Sequence, residues 1–176
     1  MQATIPSASG EALAQDLEAI FREHAPLMYR TAFSVTGSRQ DAEDVLQTIF
    51  LRLLQRQVPF EFKTGPKAYL YRASVNLALD IVRSRKRQTF THDVEILEAP
   101  ARVVEDDPIR RCLLEAFAQL RPKAVEILIL HYEHNYSDAE IAKMLGKSRG
   151  TIAVTLYRAR ARLKRLMLRA SSEEKP

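Results

Sequence analysis

Between Arg83 and Arg87 the chain reads RSRKR, and between Lys147 and Arg169 it carries eight Lys or Arg and no acid. Cations at that density neutralise phosphates and release their condensed counterions. Two such blocks, far apart in sequence, predict two contacts with a polyanionic backbone. The second block includes SRGTIAVTLYRARARL, which begins at Ser148. Thr151, Thr155 and Tyr157 offer hydroxyls to phosphate, and Arg149, Arg158, Arg160 and Arg162 add charge. Its middle, Ala153-Val154-Thr155, has no charged group to pair with a base edge.

Other constellations are more ambiguous. Asn76 and Asp80 lie four apart, Arg83 follows one turn on, and Tyr69, Tyr71, Phe60 and Phe62 precede them. Rings beside amide and guanidinium groups suit a surface that stacks and hydrogen-bonds unpaired bases. The same spacing also suits core aromatics, with Asn76, Asp80 and Arg83 as a polar network between two helices. Asp41, Asp44 and Gln47 share one face of a helix start, where carboxylates complement the dipole without needing any function. His131 and His134 have no carboxylate or thiol at matching spacing to complete a metal site. No nucleophile–base–acid set, glycine-rich phosphate loop or HExxH run is present. The expectation is a non-catalytic protein with no metal, no cofactor and no small-molecule substrate.

These residues need helices to hold them, and helical periodicity recurs along most of the chain. Residues 11–35 show an apolar helical pattern that Pro26 is expected to interrupt or restart. Thr36-Gly37-Ser38 marks a break, and Ser38 with Asp41 resembles a capping box for a helix over about 39–56. The apolar stripe of that helix is Ala42, Val45, Leu46, Ile49 and Leu53. VPFEFKTGP reads as a loop. A long helix opens at Pro66 and runs into the basic cluster, with Leu70, Ala73, Leu77 and Ile81 inward. Residues 91–107 carry six acids against one arginine and no sustained period. They read as a flexible acidic linker between domains at 11–90 and 108–170.

The second domain holds helices near 108–119 and 122–133, followed by a helix-turn-helix. Ser137 and Glu140 form a capping box, Gly146 supplies a left-handed stop, and Ser148 caps the next helix. On that last helix Ile152, Leu156, Ala159 and Leu163 fall on one side, for packing. The fold class is therefore all-α: two small helical domains, the second a helix-turn-helix.

Composition agrees with this reading. A net charge of +5 over 176 residues modestly favours a polyanionic partner. The charge is uneven, since residues 1–49 have three arginines against seven acids. The single cysteine, Cys112, rules out an intramolecular disulfide and reads as a buried helical thiol. No secretion signal and no membrane-length apolar run is found, so the expected location is the cytoplasm.

Placed in order, DAEDVLQTIFLRLL (41–54), PKAYLYRASVNLALDIVRSRKR (66–87) and the segment from Leu120 to Leu163 resemble the bacterial extracytoplasmic-function sigma factors. The resemblance implies an initiation factor that binds core RNA polymerase and recognises and melts promoter DNA, with an anti-sigma factor as a further partner. By position, Asp41, Asp44 and Gln47 would face the polymerase clamp. The loop 58–65, with Tyr69, Asn76, Asp80, Arg83, Arg85, Lys86 and Arg87, would handle the minus-ten element, a flipped base lying against the loop. Ser148, Arg149, Thr151, Thr155, Tyr157, Arg158 and Arg160 would dock on the minus-thirty-five element. The acidic linker would occupy the RNA exit path.

Two positions depart from the family pattern. Tyr69 stands where Trp is usual, and Ala153-Val154-Thr155 replaces a run with Lys or Arg and Ser on its reading face. Two competing readings are a stand-alone helix-turn-helix regulator and a sigma-like interaction module that has lost DNA binding.

Overall fold

The computed structural model describes residues 8–55, 59–91 and 107–173, and each element in them is a helix. The N-terminal unit holds α1 (Ala8–Thr36), α2 (Arg39–Gln55), α3 (Phe60–Thr64) and α4 (Pro66–Thr91). The C-terminal unit holds α5 (Pro108–Gln119), α6 (Pro122–Tyr132), α7 (Asp138–Leu145) and α8 (Arg149–Glu173). The acidic segment expected as a linker lies, for residues 92–106, outside the described residues. None of these helices is long and apolar enough to cross a membrane.

Local signals account for most of the boundaries. Gly37 takes φ 68° after α1, and its N–H closes on the Phe33 carbonyl at 2.8 Å. The Ser38 hydroxyl then accepts from the Asp41 N–H at 3.3 Å, capping α2. At α7 both halves of the Ser137–Glu140 capping box are formed, and Gly146 ends the helix at φ 63°. The Ser148 hydroxyl accepts from the Thr151 N–H at 3.1 Å and caps α8. Proline opens α4, α5 and α6, where its missing N–H costs no intrahelical bond.

Two boundaries differ from the sequence expectation. α1 runs unbroken through Pro26. Leu17 before it and Met28, Ala32 and Val35 after it are all buried, so packing on both sides carries the axis across the lost bond. The expected loop around 58–65 contains a single helical turn, α3, which buries Phe62.

α4 organises the molecule because it packs against α1, α2 and α3 and also against α5, α6 and α7. A narrow stripe cannot serve two sides. Leu70, Tyr71, Ser74, Val75, Ala78 and Leu79 are fully buried, whereas the expected Ala73, Leu77 and Ile81 are only partly so. In the expected stripes of α2 and α8, Ala42, Val45, Ile49, Leu53, Ile152, Leu156 and Ala159 are buried, whereas Leu46 and Leu163 are only partly so. Cys112 is buried on α5 with Ala116 and Phe117.

The two units meet along a seam built by arginines. Arg83 donates from Nε to the Ala118 carbonyl (3.1 Å) and from Nη2 to the Leu120 carbonyl (2.9 Å), at the end of α5. Arg30 donates to the Glu133 carbonyl (2.9 Å) at the end of α6. Arg72 donates to the Leu145 carbonyl (2.9 Å) at the end of α7. The final carbonyls of a helix have no partner within it and carry the negative end of its dipole. Three cations of the N-terminal unit thus cap three successive helices of the C-terminal unit.

Tyr71 and Glu126 complete the seam. The Tyr71 hydroxyl donates to the Glu126 carbonyl at 2.6 Å, and Arg72 Nε pairs with the Glu126 carboxylate at 3.1 Å. Burial pushes the Glu126 carboxyl above its usual range, while the Arg72 charge works against that shift. Burial, with the nearby Glu126 charge, likewise raises the Tyr71 phenol.

Candidate nucleic-acid interface

Three separate surfaces carry the residues singled out from sequence. On α2, Asp44 and Gln47 are exposed, and Leu51 and Leu54 continue the same face while remaining 52% and 43% exposed. Unpartnered leucines beside polar groups suit a protein–protein contact. Sequence reasoning missed Leu51 and Leu54, although both lie off the buried stripe of Val45, Ile49 and Leu53 and periodicity alone could have separated them. Asp41 sits elsewhere. It is buried against α4, with its carboxylate held by Arg85 Nη2 at 2.5 Å.

The second surface is an open cleft of about 350 Å³ lined by Arg52, Glu61, Tyr69, Arg72, Ala73, Asn76, Leu77 and Asp80. Tyr69 is half-buried, its ring edge-on to Phe62 at 5.7 Å between centroids. Asn76 and Asp80 are exposed at the cleft, so the structure brings Tyr69, Asn76 and Asp80 together. Arg83 is directed away from them into the seam, and Asn76–Asp80–Arg83 is not the internal network that the spacing allowed. Tyr71 is core. Arg85 is engaged with Asp41, Arg87 is exposed, and the Lys86 side chain lies outside the described residues. Arg52, Glu61 and Arg72 are cleft residues that sequence reasoning missed. They reach the site from three different helices, which no local pattern reveals.

The third surface is α8. Ser148, Arg149, Thr151, Tyr157 and Arg158 are exposed, with Tyr157 at 74%. Thr155 is half-buried and donates its hydroxyl to the Thr151 carbonyl at 2.7 Å. Arg160 is also exposed but leans on α6, with its guanidinium 5.3 Å from the Tyr132 ring centre and 3.2 Å from His131 Nε2. His134 faces the seam instead, 2.9 Å from the Thr31 hydroxyl, so the two histidines serve different contacts. Burial and the Arg30 charge lower its pKa. Among the described residues no group of three or more His, Cys, Asp or Glu is placed to hold a metal ion.

Comparison with known proteins identifies both units. The family model for sigma-70 region 2 matches residues 20–88, and that for sigma-70 region 4 matches residues 110–163. The RNA polymerase sigma-E factor of Streptomyces antibioticus is 33% identical over 161 residues, covering 89% of this chain and 86% of that one. The chain is an extracytoplasmic-function sigma factor. It is 30% identical to the extracytoplasmic-function sigma factor SigM of Mycobacterium tuberculosis, over 84% of this chain and 75% of that one. It is 29% identical to SigE of Mycolicibacterium smegmatis, over 88% of this chain but only 62% of that longer relative. The sigma factor RpoE of Bartonella quintana, solved in complex with the anti-sigma factor NepR, aligns with a TM-score of 0.50 at 26% identity. That alignment covers 87% of this chain and 94% of the other. As a sigma factor the protein directs RNA polymerase to specific promoters. Its family is one of transcription initiation factors rather than of catalysts.

Proposed function

We propose that the three surfaces divide the work of initiation among them. The α2 face of Asp44, Gln47, Leu51 and Leu54 docks on core RNA polymerase, with Asp41 and Arg85 holding α2 against α4 behind it. The cleft of Tyr69, Asn76 and Asp80 takes the opened minus-ten strand, with Arg87 and its chain neighbour Lys86 supplying charge to the phosphates, while Arg83 stays in the seam and Arg85 on Asp41. α8 docks on minus-thirty-five DNA through Ser148, Arg149, Thr151, Tyr157 and Arg158, with Thr155 and Arg160 bracing it. The division into 11–90, 91–107 and 108–170 belongs to this reading, as do a cytoplasmic location and regulation by an anti-sigma factor.

One observation carries the proposal. The exposed apolar and acidic face on α2 and the exposed basic face on α8 lie on different units. One chain can therefore hold a protein and a phosphate backbone at once. The test is reconstituted transcription from core polymerase and the full chain. Asp44→Arg is expected to reduce co-elution with the core while helix content by circular dichroism stays the same. Arg149→Ala with Arg158→Ala should leave co-elution intact, abolish promoter-dependent transcript and flatten the salt dependence of DNA binding. Promoter-specific transcript that persists in the double variant would remove α8 from the DNA.

A further inference from the structure

We propose that α8 reads thymine methyl groups through Val154, with Gly150 letting the DNA approach the helix closely. This rests on the assignment of α8 to promoter DNA and adds what the helix recognises there. Opposite the buried Ile152, Leu156 and Ala159, the outward centre of α8 runs Gly150, Val154, Tyr157, Ala161 at i, i+4, i+7 and i+11. Val154 is 49% exposed at its middle. Exposed Arg149 and Arg158 lie to either side, so an apolar strip is framed by cations suited to the phosphates of the two strands.

The short hydroxyls nearby are partly engaged within the helix. The Ser148 and Thr151 hydroxyls bond each other at 2.8 Å, and the Thr155 hydroxyl is turned onto the Thr151 carbonyl. At the centre of the outward face the groups presented to a base edge are the side chain of Val154 and the methyl of Ala153, both exposed and apolar. In the major groove the apolar group on offer is the C5-methyl of thymine.

Gly150 is the independent sign of close approach. A Cβ placed there would meet nothing within 4 Å, and the residue sits in ordinary helical backbone. Neither packing nor a left-handed turn calls for glycine, which weakens a helix relative to alanine. The space it leaves open faces outward, one turn before Val154.

The experiment begins with the full chain bound to core polymerase, which selects promoters from a random duplex library. Thymines of the enriched upstream element are then replaced one at a time by deoxyuridine, which removes only the methyl. In the wild type, replacement at one or two thymines should weaken binding about three- to fourfold, as expected for one buried methyl. Val154→Ala should bind more weakly and lose its response to the replacement. Gly150→Ala should raise the thermal midpoint and yet weaken DNA binding about tenfold, because the docked helix is pushed outward. An upstream element without thymine overturns the proposal. So does indifference of the wild type to deoxyuridine, or a methyl response that persists in Val154→Ala. Loss of core binding in Val154→Ala with unchanged DNA binding would mark the strip as a protein contact and would equally overturn it. No enriched upstream element at all, with normal core co-elution, would instead sink the assignment of α8 to DNA.

Discussion

Single residues at the seam hold unlike chemistry in close contact, and each has a measurable consequence. Tyr71→Phe removes one buried donor and leaves the Glu126 carbonyl in its helix, so stability should fall by about 0.5–1.5 kcal/mol in urea titration. His134 brings a pH effect. It is faced by Arg30 and Thr31 from α1, by Lys67 and Tyr71 from α4, and by Glu133 and Tyr136 from its own segment. Its folded pKa lies below the unfolded value of about 6.5, so the folded state holds the ring neutral. Its contribution to stability is present above that unfolded value and is lost as pH falls through the folded one. The urea midpoint should therefore drop between about pH 7.5 and 5.5, and the drop should shrink in His134→Gln. Glu126 has a raised pKa and acts in the opposite sense, losing stability as pH rises through it, but it is common to both proteins and cancels in the comparison.

The helices show which parts of the fold were legible from sequence. α7 and the start of α8 were read almost whole, because Ser137, Glu140, Gly146 and Ser148 each act on backbone groups within a few residues. Ser137→Ala should cost about 1 kcal/mol of stability, and Gly146→Ala a similar amount, because alanine is strained in the left-handed region. Denaturation midpoints of the two variants check both. α1 and α4 were read less well. Pro26 obeys tertiary packing over local propensity, and the burial of α4 depends on helices that arrive from both ends of the chain. The site divides in the same way. Asp44 and Arg158 were legible as exposed polar positions on periodic helices, while Asn76 was open between a surface and an internal network. Asp41 was not, because its partner Arg85 lies 44 residues away and only the folded chain shows the pair.

At the scale of the whole molecule the two units share one hydrophobic cluster as well as the arginine caps, so they pack as a single body. The sequence expectation of two small helical domains stands, while nothing local signalled the seam between them. Tyr71 and Glu126 are 55 residues apart, and Arg30 and Glu133 are 103 apart. Replacing Arg30, Arg72 and Arg83 together by Ala should increase the radius of gyration in small-angle scattering, with circular dichroism unchanged. An unchanged radius would show that apolar contact alone holds the units together.

The arginine caps also make the seam asymmetric under mutation. Ala118, Leu120 and Leu145 take part through their backbone carbonyls, which any substitution that preserves the helix retains, and Glu133 through both its carbonyl and its carboxylate. The guanidinium groups have no such redundancy. Sequence drift at Ala118, Leu120 and Leu145 can therefore proceed without removing the hydrogen bonds of these caps. The N-terminal unit must keep its three arginines, whereas on the C-terminal unit the side-chain demand of these caps is confined to the Glu126 and Glu133 carboxylates beside Arg72 and Arg30.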